Sequence, residues 1–431
     1  MTTGKTLRIL HFNDVYNVGE SVNEPVGGAT RFGGLLHSLQ DQPDAAPTLT
    51  LFSGDAFFPS LESTISKGDH MRAVLNEMRI DASMYGNHEF DSGVAVLEDL
   101  TERSNFPWII TNLIDTTTGT NAVRGSVPYV IKEVAGMRIG IIGIIEDWLG
   151  SLRTVPPTYE YRPYLESTLE ISRTLKDPAG AACDLVIALT HMRLNHNIKL
   201  ADNCPDVDLI LSGHDHFYYV GSGIADLEDA EFAGLGPEYE GSSDDRDAME
   251  AWRAGRAKLA PGSRGHRIII SGTDFRDMSE VLLELNEPAQ AGVEIERVTV
   301  KRHRVTSKAP EAPAVKCIVD KIEAQLSKAL DKVIGYSTAA LDARSSVTRM
   351  QESSLGNLTS DLMRHYYAES AGAQIALCCG GTIRSDKTFP AGRVRLREIA
   401  ELFPFRDPTV VTKLTGEQIR EALENGVSKW P

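Results

Sequence analysis

Residues 82–91 read ASMYGNHEFD, a short apolar run that ends in a cluster of polar and charged side chains. The run from Ala82 to Tyr85 is typical of a buried strand. Gly86 lets the backbone turn sharply, directly before Asn87 and His88. Ligand sites in α/β folds collect at the carboxyl ends of strands. This stretch therefore predicts a strand whose end contributes to a functional site.

Four other apolar runs end in the same way, with residues of the Asp, Asn and His type. They lead into Asp14, Asp55, His191, and the pair His214 and His216. Up to about residue 300 such runs alternate with amphipathic stretches, which indicates an α/β fold. We expect the five strand ends to converge on one cleft.

The side chains at these ends are of metal-ligand type. The candidate ligands are Asp14, Asp55, Asn87, His191, His214 and His216. Mixed oxygen and nitrogen ligation suits Mn, Fe, Zn or Co better than Ca or Mg alone. If Asp55 bridges two ions about 3.5–4 Å apart, the pair can clamp an in-line displacement at phosphorus. A lone Asp or His at a strand end is more often structural, and only the combination predicts a dimetal centre, whose divalent ions could be Mn, Zn, Co, Fe or Mg.

The ordered blocks resemble the calcineurin-like metallophosphoesterases. Within that group they look like the two-domain 5′-nucleotidases, which include UDP-sugar hydrolases and 2′,3′-cyclic phosphodiesterases. The second half of the chain agrees, through the segments 352–358 (ESSLGNL), 380–384 (GGTIR) and 403–405 (FPF). The resemblance implies a four-layer α/β sandwich of two β-sheets flanked by helices, followed by a smaller and apparently truncated α/β domain.

The resemblance also implies a role for each matching residue. Asp14, Asp55 and His216 would hold the first ion, and Asp55, Asn87, His191 and His214 the second. His88, oriented by Asp91, would stabilise charge on the phosphoryl group or the leaving oxygen. In the second domain, Arg349 and Arg384 would grip the substrate, and Phe405 would be one of two rings that sandwich a nucleobase.

Three departures from the family pattern bear on these roles. Tyr16 stands where the family usually has histidine. A phenol ligates poorly unless a strongly acidic ion such as ferric iron deprotonates it, and it is equally consistent that Tyr16 fills space while water ligates. Cys379 aligns with a family asparagine beside the Gly-Gly turn, and the family's second stacking aromatic falls beyond Pro431.

Composition shifts predict the domain boundaries. We predict a catalytic domain over 1–305, a linker and connecting helix over 306–335, and an incomplete C-terminal substrate-binding domain over 336–431. An apolar stripe indicates a helix over 314–334 that stops at Gly335, and Ala373 to Cys378 is typical of a buried strand. The acidic segment 222–265 is interpreted as a solvated surface insertion, with a lid as the alternative.

Composition also excludes some partners. The 44 Lys and Arg against 60 Asp and Glu give a net charge of −16, which disfavours nucleic acid and anionic membranes. No apolar run approaches the roughly 20 residues of a membrane helix, and the N-terminus shows no secretory pattern. Five cysteines without a pairing pattern argue against a disulfide framework, so we expect a cytoplasmic protein.

The functional hypothesis is a dimetal-dependent, 5′-nucleotidase-like phosphohydrolase. It would release phosphate from a small phosphomonoester, by default a nucleotide, through attack of metal-bound hydroxide. Cys379 and the missing aromatic keep a phosphatase of sugar phosphates or other small phosphomonoesters open. Tyr16 and the missing C-terminal part of the family pattern keep open a catalytically silenced relative that binds nucleotides without turnover.

Overall fold

The computed structural model describes residues 5–152, 154–229, 254–255, 258, 264–286, 293–405 and 409–428. The chain divides into two compact units, Met1–Ala329 and Leu330–Pro431. Each unit has its own hydrophobic core.

The first unit is an α/β structure. Its described strands are β1 (Lys5–Phe12), β2 (Thr48–Phe52), β3 (Ala82–Met84), β4 (Trp108–Ile109), β5 (Leu113–Asp115), β6 (Thr120–Asn121), β7 (Tyr129–Val134), β8 (Met137–Ile145), β9 (Tyr159–Tyr161), β10 (Leu185–His191), β11 (Leu209–Gly213), β12 (Tyr218–Val220), β13 (Asp226–Glu228), β14 (Ile268–Ser271), β15 (Asp277–Asn286) and β16 (Glu294–Arg304). Its described α-helices are α1 (Ala29–Gln40), α2 (Leu61–Ser66), α3 (Asp69–Glu77), α4 (Val94–Glu102), α5 (Tyr164–Lys176), α6 (Leu194–Asn203) and α7 (Pro313–Leu330).

Two sheets dominate this unit. The seven-stranded sheet has the order β13-β16-β15-β1-β2-β3-β4, and β1 to β4 run parallel as neighbours. The six-stranded sheet has the order β12-β14-β11-β10-β8-β7, and its central strands β8, β10, β11 and β14 are also parallel. A three-stranded sheet, β6-β5-β9, lies apart from both.

Strand β8 shows how the layers form. Ile139, Ile141 and Ile145 pack into the large core that also holds Ile9 of β1 and Phe32 of α1. On the opposite face of the same sheet, residues of β8 and β10 pack against apolar side chains of α5 and α6. Strands buried on both faces carry continuous apolar runs, which is why the sequence of β8 lacks polar alternation. The predicted four-layer sandwich is confirmed.

Helix α7 differs from the predicted connecting helix at its C-terminal end. It ends at Leu330, and Val333 and Gly335 belong to the next strand instead. Val315 and Val319 are buried in the large core of the first unit. The apolar stripe therefore reflects packing of this helix onto the first unit, and Gly335 does not stop it.

The second unit is smaller. Its described strands are β17 (Val333–Ser337), β18 (Leu341–Asp342), β19 (Thr388–Phe389) and β20 (Gly392–Arg395), and its α-helices are α8 (Ser345–Thr348), α9 (Ser354–Ala371), α10 (Leu396–Leu402) and α11 (Gly416–Gly426). Ser353 begins α9 by accepting a hydrogen bond from the Gly356 amide.

The predicted buried strand from Ala373 to Cys378 is wrong. Residues 373–379 form no strand, and Ile375 and Leu377 are more than half exposed. A strand requires a neighbour to satisfy its amides, and in the part of the chain that the structure describes no strand pairs with this segment.

The acidic segment 222–265 differs in part from the expected insertion. Asp226–Glu228 forms strand β13, which pairs with β16 at the edge of the seven-stranded sheet. Most of the rest, from residue 230 to 263, lies outside the described residues. None of the helices described here is both long and apolar enough to span a bilayer.

Candidate metal centre

The two sheets each supply one kind of candidate ligand. Asp14, Asp55 and Asn87 follow the adjacent parallel strands β1, β2 and β3 of the seven-stranded sheet. His191 ends β10, and His214 and His216 follow its parallel neighbour β11 in the six-stranded sheet. Oxygen donors thus come from one sheet and imidazoles from the other, and the facing strand ends bring them together.

One group of donors surrounds the Tyr16 hydroxyl. That oxygen lies 2.9 Å from Asp14 Oδ1, 2.9 Å from Asp55 Oδ2 and 3.0 Å from His216 Nε2. His216 Nε2 also lies 3.4 Å from Asp14 Oδ1. Tyr16 is therefore part of the centre, and its single O–H can donate to only one carboxylate at a time.

The second group joins Asp55 to the remaining donors. His191 Nε2 lies 3.1 Å from Asp55 Oδ2, and His214 Nδ1 lies 3.1 Å from Asn87 Oδ1. The backbone amide of His214 donates to Asp14 Oδ2 over 2.9 Å, which links the two groups. Asp55 Oδ2 thus faces both groups, so this carboxylate lies where it could bridge two ions.

These residues fit a metal ion. Donor atoms of Asp14, Asp55 and His191 lie within 4.8 Å of one another, and all three residues are buried. Ligands held about 2.0–2.2 Å from one ion stand about 3 Å apart, which matches the 3.1 Å between His191 Nε2 and Asp55 Oδ2. His191 Nε2 is buried and faces the Asp55 carboxylate rather than solvent, as expected of a ligand nitrogen.

Two glycines leave room for the donor atoms because they carry no side chain. A Cβ atom on Gly86 would lie 2.1 Å from Asp55 Oδ1, and one on Gly213 would lie 2.8 Å from Asp14 Oδ2. Any side chain at either position would displace a candidate ligand, so both glycines are required beside the strand ends.

The electrostatics of the centre favour ionised carboxylates. Burial alone would raise the pKa of Asp55, but the charges of His191 and His88 outweigh it and hold this pKa well below its ordinary value. Burial would lower the pKa of His191, but the charges of Asp55 and Asp14 raise it to about 10. Without metal, a proton on His191 therefore balances the carboxylates, and a bound cation would take over that role.

Three candidate ligands have a strained backbone. Asp14, Asp55 and His214 have φ angles of 52°, 62° and 81°, in the left-handed region that non-glycine residues avoid. Each such residue costs about 1–3 kcal/mol and persists only where the surroundings enforce it. The clustering of this strain on candidate ligands is typical of a functional site.

His88 and Asp91 form a dyad beside Asp55. His88 Nδ1 lies 2.8 Å from Asp91 Oδ2, and because a carboxylate only accepts, the imidazole donates. The His88 amide donates to Asp55 Oδ1 over 2.8 Å. The dyad is thus attached to the same carboxylate that faces both groups of donors.

Glu89 is a residue that the sequence analysis did not assign. Its buried carboxylate accepts hydrogen bonds from the backbone amides of Asp55, Ala56, Phe57 and Gly86, at 2.6–3.3 Å. Burial and the nearby Asp55 raise the pKa of Glu89 to about 7, against the effect of these amides. Glu89 fixes the loop that carries Asp55, and its place three residues after Gly86, from which a Glu side chain can accept from the Gly86 amide, was the signal for it.

Replacing Glu89 by Ala is expected to lower the free energy of unfolding by at least about 3 kcal/mol, because buried donors left unsatisfied cost about 1–3 kcal/mol each. Urea denaturation of the metal-free protein measures this. Glu170→Ala, at an exposed position on α5, is the matched control and should stay within about 0.5 kcal/mol of the wild type. Equal stability of the two variants would contradict the role given to Glu89.

The second unit holds the predicted substrate residues. The guanidinium carbon of Arg384 lies 5.1 Å from the centre of the Phe405 ring, a cation–π contact. Arg349 directly follows α8 and lies against Gly380, where a Cβ atom would be 3.2 Å from Arg349 Cα. Cys379, in the place of the family asparagine, is exposed.

Two family models match the sequence. Residues 7–218 match the calcineurin-like phosphoesterase model, and residues 333–431 match the 5′-nucleotidase C-terminal domain model. The two matched segments fall in the first and second units.

Three known proteins illustrate the similarity. The chain is 25% identical over 410 residues to the trifunctional nucleotide phosphoesterase protein YfkN of Bacillus subtilis, covering 88% of this chain but only 25% of that protein. It is 26% identical over 444 residues to the snake venom 5′-nucleotidase of Naja atra, covering 98% of this chain and 78% of the other. The crystal structure of a 5′-nucleotidase precursor from Thermus thermophilus superposes with a TM-score of 0.75 at 24% identity, covering 99% of this chain and 79% of that one.

Proposed function

We propose that this chain hydrolyses a phosphate ester of a nucleotide, because residues 7–218 match the calcineurin-like phosphoesterase model and residues 333–431 match the 5′-nucleotidase C-terminal domain model. The proposed reaction is metal-dependent release of inorganic phosphate from a nucleoside 5′-monophosphate. The observation that carries it is the convergence of carboxylate, amide and imidazole donors around Asp55, with the His88–Asp91 dyad attached to the same residue.

Two divalent cations would be held by the donors described above. Asp14, Asp55 and His216 would hold the first, and Asp55, Asn87, His191 and His214 the second. When bound, such a pair lowers the pKa of a water molecule and neutralises charge on phosphoryl oxygens. Tyr16 keeps its hydroxyl against three of these donors, and we propose that it orients either the Asp14 or the Asp55 carboxylate by donating its single O–H.

The proposed role of His88 is to stabilise charge and supply a proton. Its Nδ1 is engaged with Asp91, so Nε2 is the nitrogen that would donate to a substrate oxygen. The ring is mostly shielded, with 16% of its side chain exposed, which strengthens such a hydrogen bond relative to one in water. Both ring nitrogens donate only when the imidazole is doubly protonated, and Asp91 would stabilise that imidazolium while it fixes the ring plane.

The substrate class is inferred from the second unit. An aromatic ring offers a stacking face for a nucleobase, and guanidinium groups suit phosphate or carboxylate oxygens. Phe405 and Arg384 lie together in this structure. One site could therefore recognise the base of a nucleotide together with its phosphate or ribose. Nucleotide specificity is therefore assigned to these residues and Arg349.

The direct test is phosphate release from a substrate panel, with Mn, Zn, Co and Mg supplied in turn. The panel contains nucleoside monophosphates, a cyclic nucleotide, UDP-glucose, ribose 5-phosphate and glucose 6-phosphate. Turnover of nucleoside monophosphates above the others supports the proposal. Turnover of sugar phosphates alone would contradict nucleotide specificity, and no turnover of any ester by the metal-loaded chain would contradict the hydrolase.

Replacing Phe405 by Ala is expected to raise KM for adenosine monophosphate about 5- to 100-fold, because base stacking contributes about 1–3 kcal/mol. KM for ribose 5-phosphate, which has the sugar and phosphate but no base, should not change. Steady-state phosphate release measures both. Tyr366→Ala, at an exposed ring of the same unit, is the control, and an equal change for both substrates would exclude base stacking on Phe405.

A further inference from the structure

Glu146 directly follows β8 and has no part in the function proposed above. Its carboxylate is 3% exposed, which is unusual for glutamate unless several partners surround it. The Arg193 backbone amide donates to Oε2 over 3.1 Å, and the Arg193 guanidinium contacts Oε1. His196 Nδ1 lies 2.5 Å from Oε2.

These contacts also define the surroundings of His196, which lies five residues after His191. The ring is 30% exposed and engaged with Glu146. It is neither a plain surface residue nor, on the described contacts, a member of the candidate ligand group.

The same carboxylate reaches the candidate metal centre through His214. His214 Nε2 lies 3.9 Å from Glu146 Oε1, while its Nδ1 lies 3.1 Å from Asn87 Oδ1. The two ring nitrogens thus face different partners, one a candidate ligand and the other Glu146. Histidines that ligate metals generally donate their second N–H to a carboxylate, a carbonyl or water, which fixes tautomer and orientation.

We propose that Glu146 is a positioning residue that holds the His214 imidazole for metal ligation through Nδ1. This rests on the proposed function. The strand order β11-β10-β8 explains how one side chain can do so, because Glu146 lies at the end of β8, Arg193 and His196 follow β10, and His214 follows β11. Glu146 therefore joins the ends of three neighbouring parallel strands on the imidazole side of the centre.

The experiment compares metal binding by three variants with metal binding by the wild type. Glu146→Gln keeps the shape but loses the charge, Glu146→Asp keeps the charge but shortens the reach, and Asp147→Asn alters the exposed neighbouring carboxylate as the control. Each metal-free protein is titrated with Mn²⁺, and Co²⁺ absorption reports the ligand geometry. We expect Glu146→Gln to weaken one of the two binding events about 10- to 100-fold, the usual effect of losing an outer partner of a ligand.

The control and the Glu146→Asp variant have expected results of their own. Asp147→Asn should match the wild type, Glu146→Asp should bind more tightly than Glu146→Gln, and the Co²⁺ spectrum should change only in the Glu146 variants. Thermal unfolding of the same samples shows whether each variant is folded. A folded Glu146→Gln protein with wild-type metal affinity and spectrum overturns the proposal.

A double variant tests whether Glu146 affects metal binding through His214. If Glu146 acts through His214, then Glu146→Gln should add little to the loss already caused by His214→Asn. Additive losses would instead assign Glu146 to pairing with Arg193 and His196 alone and would overturn the proposal. A wild-type chain that binds metal but hydrolyses no ester would contradict the proposed function, while the metal titrations would still decide the role of Glu146.

Discussion

Asp55→Asn is expected to abolish turnover, lowering kcat/KM by about 1,000-fold or more, since a metal pair supplies several kcal/mol of charge stabilisation and each 1.4 kcal/mol is tenfold in rate. Asp55 Oδ2 faces Tyr16, at 2.9 Å, and His191, at 3.1 Å, while Oδ1 accepts the His88 amide. An amide has the same size but removes the negative charge. It would also set an NH₂ group against one of these donors.

Metal content and steady-state kinetics measure this prediction together. The variant should retain at most one ion per chain where the wild type retains two, and its loss of rate should follow the loss of metal. Asp44→Asn, at an exposed loop position, is the matched control and should change neither quantity. Full activity with one ion or none would contradict a dimetal mechanism built on Asp55.

His88→Ala is expected to lower kcat about 100- to 10,000-fold, the usual range for a positioned acid or base, while metal content stays at the wild-type level. The side chain contributes to the reaction through its ring, whereas the contact with Asp55 uses the backbone amide and survives the substitution. This separation makes the variant informative. It removes the proposed proton donor without removing a candidate ligand.

The measurement is kcat and KM for the best substrate of the panel, on protein of verified metal content. KM should change only a few-fold, because a group that acts in the transition state affects kcat more than substrate binding. Asp91→Asn should lower kcat in the same direction, since Asp91 fixes the His88 ring. His365→Ala, exposed on α9, is the control, and a loss of metal in His88→Ala would contradict a purely catalytic role.

The individual strands that carry the candidate ligands could be predicted from the sequence. Apolar runs that end in Gly, Asp, Asn or His identify β1, β2, β3, β10 and β11, because the burial of each strand and the turn after it depend on a few neighbouring residues. The resemblance to the calcineurin-like phosphoesterases is confirmed by the two family models. His11 of β1 is fully buried, and its two ring nitrogens lie against the hydroxyls of Ser271 and Ser53.

The pairing of strands that lie far apart in the sequence could not be predicted in this way. Strand β1 pairs with β15 across the length of the unit, and nothing local to either strand specifies that neighbour. The predicted strand at 373–378 failed for the same reason, because an apolar run indicates burial but not the presence of a partner strand. Glu146 was missed because the sequence alone does not distinguish a buried glutamate from a solvated one.

The division of candidate ligands between the two sheets ties the fold to the supply of metal. Ions held by oxygens from β1 to β3 and by imidazoles from β10 and β11 would cross-link the facing sheets. Since the unfolded chain cannot assemble such a set, occupancy stabilises the folded state by mass action, about 2.7 kcal/mol at a hundred times the dissociation constant. The melting temperature would then report free metal concentration, and a cell short of metal would hold a less durable protein as well as a less active one.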